Sequence, residues 1–249
     1  MKVAVAGCSF SDYTGVEHVY GETLVYHLNA EYVHLASGCG SNDRSFRRIV
    51  ESVEDNTLTK DDLVIIQLTN PQRKEIFSKY FSYSKIGKQK FEFLNNEIIS
   101  TNAVPVYEKV KAYDAKLGDV DIVFNKYKQH SHTWQSNGSD QQIHKFYENN
   151  ISDPIADTFY TWWKIQALVG YLQQNQIKFS VMYSERYINT HDYKKSFVKD
   201  RDIHLEKLFP TLNDEMYWCT PEDSHHMNED GHKKLGYLIA THLADKNII

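Results

Sequence analysis

Short apolar runs alternate with amphipathic stretches from the start of this chain, and that alternation constrains the fold more than any other feature. Lys2 to Ala6 is an apolar run ending at Gly7 and reads as a buried strand. Tyr20 to Asn29 reads as a helix, and Tyr32 to Ala36 as a second strand. After the turn Ser37-Gly38-Cys39-Gly40, Ser41 or Asn42 caps a helix that runs through Arg47 and Val50. Asp62-Leu63-Val64-Ile65-Ile66-Gln67-Leu68 is a third, strongly β-branched strand, ended by Asn70-Pro71. Strand, helix, strand, helix, strand predicts a parallel, doubly wound sheet, because parallel strands need crossover connections.

Order is weaker in the middle of the chain. From about 75 to 155 the residues are polar, rich in Tyr and Phe, and without a clean period, which suggests an insertion of helices and irregular hairpins. The periodicity resumes at Phe159 to Gln174, an amphipathic helix, and Lys178 to Tyr183, a strand. Leu205 to Leu208 reads as a short helix. Gly231 to Ala244 is a last helix, with Leu235, Leu238, Ile239 and Leu243 at helical spacing. The expected organisation is one domain over 1–249 with the insertion inside it, and 249 residues are enough for a sizeable core.

Charge and composition remove several function classes. Lys and Arg total 28 against 33 Asp and Glu, a net charge of −5, so there is no broad basic field for nucleic acid. No run approaches the ~18 apolar residues that span a bilayer, so no membrane role is expected. Three cysteines, Cys8, Cys39 and Cys219, lack metal-type spacing and suggest neither a disulfide framework nor a zinc site. Val5-Ala6-Gly7-Cys8 looks like a lipoprotein cleavage site, but the apolar stretch before it is too short for a signal sequence. A cytoplasmic protein with reduced thiols is the expectation.

Parallel sheets bind ligands at the carboxyl ends of their strands, and here those ends carry Cys8-Ser9, Gly38-Cys39-Gly40 and Thr69-Asn70. A serine hydrolase needs a nucleophilic hydroxyl, a base, a group that orients the base, and donors for the oxyanion. Ser9 sits just past the first strand, where a helix N-terminus is expected to follow and to offer backbone N–H groups. Far along the chain stands Asp223-Ser224-His225-His226. An Asp three residues before a His can fold back and accept from the imidazole Nδ1–H, turning Nε2 toward Ser9. Gly38 can present a backbone N–H with no side chain in the way, and Asn70 can donate its side-chain amide to the same point.

These blocks resemble the SGNH, or GDSL-like, hydrolase family. The blocks are Gly7-Cys8-Ser9-Phe10-Ser11, with Cys8 where the family often has Asp; Ala36-Ser37-Gly38-Cys39-Gly40-Ser41-Asn42; Gln67-Leu68-Thr69-Asn70; and Asp223 to His232, an Asp-x-x-His followed by Gly231-His232. Their order is the family's order, they span nearly the whole chain, and the last is the most specific. The resemblance implies a three-layer α/β/α sandwich with a central parallel sheet of the flavodoxin-like kind. It implies Ser9 as nucleophile, His226 as base and Asp223 as its orienter. The oxyanion hole would be the N–H groups of Ser9 and Gly38 and the amide of Asn70. No cofactor and no metal are implied. The activity would be that of an esterase acting on O-acyl groups of a small molecule or glycan, carbohydrate-linked acetyl among them. An O-acyltransferase on the same fold and a degenerate glycan-binding module are the rivals. Leu68 and Pro71 depart from the family's glycine and aspartate, and Gly40 competes with Gly38 as donor.

Each residue also has a plainer reading. Ser9 is also a natural N-cap, Asn70 before Pro71 a natural turn residue, and Arg73 with Glu75 a surface ion pair. His232 reads as a helix-start residue. His130, His132 and His144 lack the carboxylate or cysteine that would complete a metal set. Tyr160, Trp162 and Trp163 at helical spacing read as core more readily than as a sugar platform.

Overall fold

The computed structural model describes residues 1–13, 16–37, 40–71, 73–75, 91–94, 97–100, 121–123, 154–184, 201–210, 217 and 226–249. For the strands between 73 and 123 it describes the backbone alone. The elements are β1 (Lys2–Ala6), α1 (Tyr20–Leu28), β2 (Glu31–His34), α2 (Asn42–Glu54) and β3 (Leu63–Gln67). Then come β4 (Arg73–Glu75), β5 (Phe91–Leu94), β6 (Glu97–Ser100), β7 (Asp121–Val123) and α3 (Pro154–Gln174). Last are β8 (Lys178–Tyr183), β9 (Asp202–His204), α4 (Leu205–Leu208) and α5 (Glu229–Asp245).

Five strands form one sheet in the order β2-β1-β3-β8-β9, and every neighbouring pair is parallel. Val5 stands beside His34 on one side and Ile65 on the other, and Ile66 beside Val181. This is the flavodoxin-like order, in which the chain steps outward from β1 to β2 and then returns past β1 to β3. The crevice at that reversal lies between the carboxyl ends of β1 and β3. The strands β4 and β7, and β5 and β6, make two small antiparallel pairs in the inserted region, most of which lies outside the described residues.

Alternation along the strands builds a core on each face. Val3, Val5, Leu63, Ile65, Met182 and Ile203 point to α1 and α5, where Leu24, Leu235, Ile239 and Leu243 close over them. Ala4, Ala6, Val64, Ile66, Phe179 and Val181 point to α2 and α3 and meet Ile49, Ile165, Leu168 and Leu172. Both faces are buried, which is why these strands read as continuous apolar runs rather than alternating ones. Each fully buried Ile or Leu contributes about 1.5–3 kcal/mol by its removal from water.

Helix ends follow local chemistry. Ser41 caps α2, its Oγ accepting from Arg44 N–H at 3.2 Å, which settles the choice between Ser41 and Asn42. Asn228 caps α5 by accepting from Gly231 N–H at 2.9 Å. Asn29 ends α1 in the left-handed region at φ 48°. Between α2 and α3 lies a groove of about 600 Å³, lined by Phe46, Val50 and Leu168 and edged by the Lys164–Asp43 ion pair at 2.5 Å. Among the described residues, none of the candidate catalytic residues lines it.

Candidate active site

Ser9 and Asn70 follow neighbouring strands, each three residues beyond its strand's last residue, with Ala6 of one strand paired to Ile66 of the other. Because β1 and β3 pair in parallel, the two loops emerge side by side at the reversal point. Both residues are half-buried. Ser9 opens a single turn of 3₁₀ helix, Ser9–Ser11, closed by Asp12 N–H donating to Ser9 O at 3.4 Å. The expectation that a helix N-terminus follows Ser9 directly is therefore corrected: α1 begins only at Tyr20.

The β1 exit is shaped from below by Gln67, the last residue of β3 and 1% exposed. Its Oε1 accepts from Cys8 N–H at 3.2 Å, from Cys8 S–H at 3.4 Å and from Ser11 O–H at 3.0 Å. Its Nε2 donates to Leu68 O at 2.6 Å. A Cβ on Gly7 would lie 2.6 Å from Gln67 Oε1 and 2.8 Å from Ser11 Oγ, so any larger residue here would displace the side chains that make these bonds. The signal for this role is a lone amide closing the apolar run of β3; periodicity alone passes over it.

The β3 exit has its own clamp. Asn42, 2% exposed, donates from Nδ2 to Thr69 O at 2.9 Å and accepts Thr69 N–H on Oδ1 at 2.8 Å. On the second block, Gly40 N–H donates to Ser37 O at 2.8 Å.

His226 belongs to the same edge. It is half-buried and stands just before Met227 and the Asn228 cap of α5. The start of α5 is held against the start of α1: Tyr20 N–H donates to His232 Nδ1 at 3.2 Å, and Glu17 N–H to Glu229 Oε1 at 3.3 Å. Helices returning to a parallel sheet begin at its carboxyl edge, so this contact carries the segment before α5 to the edge that bears Ser9. Gly231 lets it pass close to Tyr217, whose carbonyl would sit 2.8 Å from a Cβ and which also accepts Asn228 N–H at 2.8 Å. The glycine of the last sequence block thus has a packing reason. Asp223 and Gly38 lie outside the described residues.

His232 is 2% exposed, and its pKa is pushed down to about 4, first by burial and then by the neighbouring His226. With Nδ1 accepting from Tyr20 it is neutral and carries its proton on Nε2. It is therefore a buried structural imidazole deep in the helix pair, more than a helix-start residue. Tyr20 continues the path, its hydroxyl 2.7 Å from Ser11 Oγ, and burial raises its pKa. An acid–imidazole contact borders the loop after β1: His34 Nε2 donates to Asp12 Oδ1 at 3.0 Å, and His34 Nδ1 lies 3.0 Å from Tyr32 OH. Tyr13, next to Asp12, has its pKa raised to about 12 by burial and by its hydrogen bond to Glu22.

Other sequence expectations fall differently. Among Tyr160, Trp162 and Trp163, only Trp162 packs against the core; Tyr160 and Trp163 are 57% and 59% exposed. The core reading of that aromatic face is thus corrected for two of its three residues. Arg73 and Glu75 lie in β4, where only backbone is described, and His130, His132 and His144 lie outside the described residues. Among the described residues no group of three His, Cys, Asp or Glu could hold a metal ion, and no helix is long and apolar enough to cross a membrane.

Comparison with known proteins rests on structure. No protein-family model and no curated protein matches the chain. Among solved structures it is similar to a protein of Desulfitobacterium hafniense DCB-2 assigned to the lipolytic G-D-S-L family. The TM-score is 0.50 and the identity 11%, over 97% of this chain and 99% of that one. It is also similar to the esterase EstA of a Pseudoalteromonas species, with TM-score 0.44 and identity 11%, over 99% and 96% of the two chains. An acetyl xylan esterase, Est2A, of Butyrivibrio proteoclasticus gives TM-score 0.44 and identity 10%, over 99% of this chain and 64% of that one. Sheet order, layer arrangement and the match along almost the full length of the first of these agree, and the chain has the α/β fold of the G-D-S-L, or SGNH, hydrolases.

Proposed function

We propose that the protein is a serine esterase that hydrolyses short-chain O-acyl esters of a small molecule or glycan, carbohydrate-linked acetyl among them. The observation that carries the reading is the convergence at one edge: Ser9 and Asn70 follow the carboxyl ends of adjacent parallel strands, and the segment bearing His226 enters α5 at that edge. A crevice of this kind is where parallel sheets bind their ligands.

In the proposed reaction Ser9 Oγ attacks the ester carbonyl carbon while His226 Nε2 takes the hydroxyl proton. Asp223 accepts from His226 Nδ1–H and steadies the imidazolium. The negative charge on the carbonyl oxygen is met by the N–H groups of Ser9 and Gly38 and by the Asn70 side-chain amide. Gly38 is preferred to Gly40 because Gly40 N–H is engaged by Ser37 O. The bond to the alcohol breaks, the alcohol leaves with the proton from His226, and the acyl group stays on Ser9. Water then attacks the acyl-serine, its proton passes through His226 back to Ser9 Oγ, and the acid departs. Every step uses side chains, backbone N–H groups and water, so the proposed chemistry calls for no cofactor.

The test is hydrolysis of a short-chain activated ester by the purified chain, with and without chelator. Turnover insensitive to chelator and lost in Ser9→Ala supports the reading. Turnover that survives Ser9→Ala but disappears with chelator refutes it. Product analysis with a sugar acceptor present separates hydrolysis from acyl transfer.

A further inference from the structure

Beyond β3 the backbone carrying Asn70 loses the sheet. Leu68 N–H makes a last bond to β8, donating to Met182 O at 2.8 Å. Thr69 has no strand partner among the described residues, and Pro71 has no N–H to give and a fixed φ. Both polar groups of the Thr69 peptide are taken instead by one side chain, Asn42, with bonds of 2.8 and 2.9 Å. Asn42 is 2% exposed and sits on the first residue of α2. That helix is already capped by Ser41, so the Asn42 amide is not spent on capping. Its carbonyl and NH₂ stand in for a strand edge and fix the direction in which the chain enters Asn70.

We infer that Asn42 is a positioning residue for the oxyanion hole, acting through the Thr69 backbone to aim the Asn70 amide; this rests on the proposed esterase reading. Asn42 touches no reacting atom. Its effect is on how well Asn70 meets the developing oxyanion, and displacement of a donor by about 1 Å is enough to cost about 10² in rate. An effect that exists only in the transition state lowers kcat and leaves substrate binding little changed.

A double-mutant cycle tests this on the full chain with an activated acetate ester. Asn70→Ala is expected to lower kcat by about 10². Asn42→Leu, which keeps the volume and removes both bonds, is expected to lower kcat about tenfold with KM changed less than about threefold. Asn42→Leu together with Asn70→Ala should be no slower than Asn70→Ala alone, because the clamp has nothing left to aim. Asn42→Asp keeps the acceptor for Thr69 N–H and loses the donor to Thr69 O; its kcat should fall between wild type and Asn42→Leu, and it carries the cycle should Asn42→Leu not fold. Independent losses that multiply in the double variant, or an unchanged kcat in both Asn42 variants, overturn the assignment. Fluorophosphonate labelling of the wild type separates the two levels. A chain that labels on Ser9 while the cycle multiplies refutes the positioning role alone. A chain that neither labels nor turns over refutes the esterase reading and the assignment with it.

Discussion

The centre of the sheet and its carboxyl edge are held by different forces. At the centre Val3, Val5, Leu63, Ile65, Val64 and Ile66 are fully buried and pack into the two apolar clusters. At the edge, one or two residues further along the same strands, the contacts are bonds of Gln67 to Cys8 and Ser11, of Asn42 to Thr69, and of His232 to Tyr20. The centre tolerates exchange of one apolar side chain for another of like volume, since dispersion and burial have no direction. The edge tolerates almost none, because a buried amide or imidazole that loses its partner pays the desolvation of the group left behind. Stability is concentrated in the first region and geometry in the second.

Substitutions on either side should separate the two properties. Ser9→Ala is expected to cut turnover by about 10³-fold or more and to leave the unfolding midpoint in denaturant unchanged, because in the proposed reaction Ser9 Oγ is the nucleophile and it is not part of the apolar core. A large shift of the midpoint would mean that Ser9 belongs to the structure. Ile65→Ala is expected to do the reverse. It should cost about 2–5 kcal/mol of stability, read by chemical denaturation, with turnover per folded molecule nearly intact. Turnover lost in proportion beyond the unfolded fraction would erase the division.

His232 sharpens the comparison because it is a polar group placed among core residues. Its folded pKa of about 4 lies below the ~6.5 of an exposed imidazole, so between those values the unfolded chain binds a proton that the folded chain refuses. Stability is then fully present above about pH 6.5 and is lost as the pH falls to about 4. The contribution is roughly 3 kcal/mol from the ~1.4 kcal/mol per pKa unit. Below about 4 both states are protonated and no more is lost from this group. His232→Gln, which can still accept Tyr20 N–H, is expected to flatten that part of the profile in denaturation measured at several pH values. An unchanged slope would mean that other groups set it.

The same division explains what could be read in the sequence. Lys2–Ala6 and Lys178–Tyr183 appear in the structure with the bounds their apolar runs suggest, since burial on both faces leaves an uninterrupted apolar signal. Leu205–Leu208 also holds. The strand Asp202–His204 was not legible, because three residues with two polar ends carry no period. The placement of Ser9, Asn70 and the His226 segment on one edge followed from strand order and block order. Their supports did not, because a Gln67 or an Asn42 that bonds to a distant backbone looks like any polar residue until the fold brings its partner near. The exposed Tyr160 and Trp163 show the opposite error, helical spacing taken as burial.

The central claim is that Ser9 is an activated nucleophile at the reversal point between β1 and β3. Treatment of the folded chain with a fluorophosphonate, followed by peptide mass spectrometry, tests it most directly. The account predicts one adduct, on Ser9, whose formation is greatly slowed in His226→Ala. An adduct on another residue, or none on a chain shown to be folded, would contradict it.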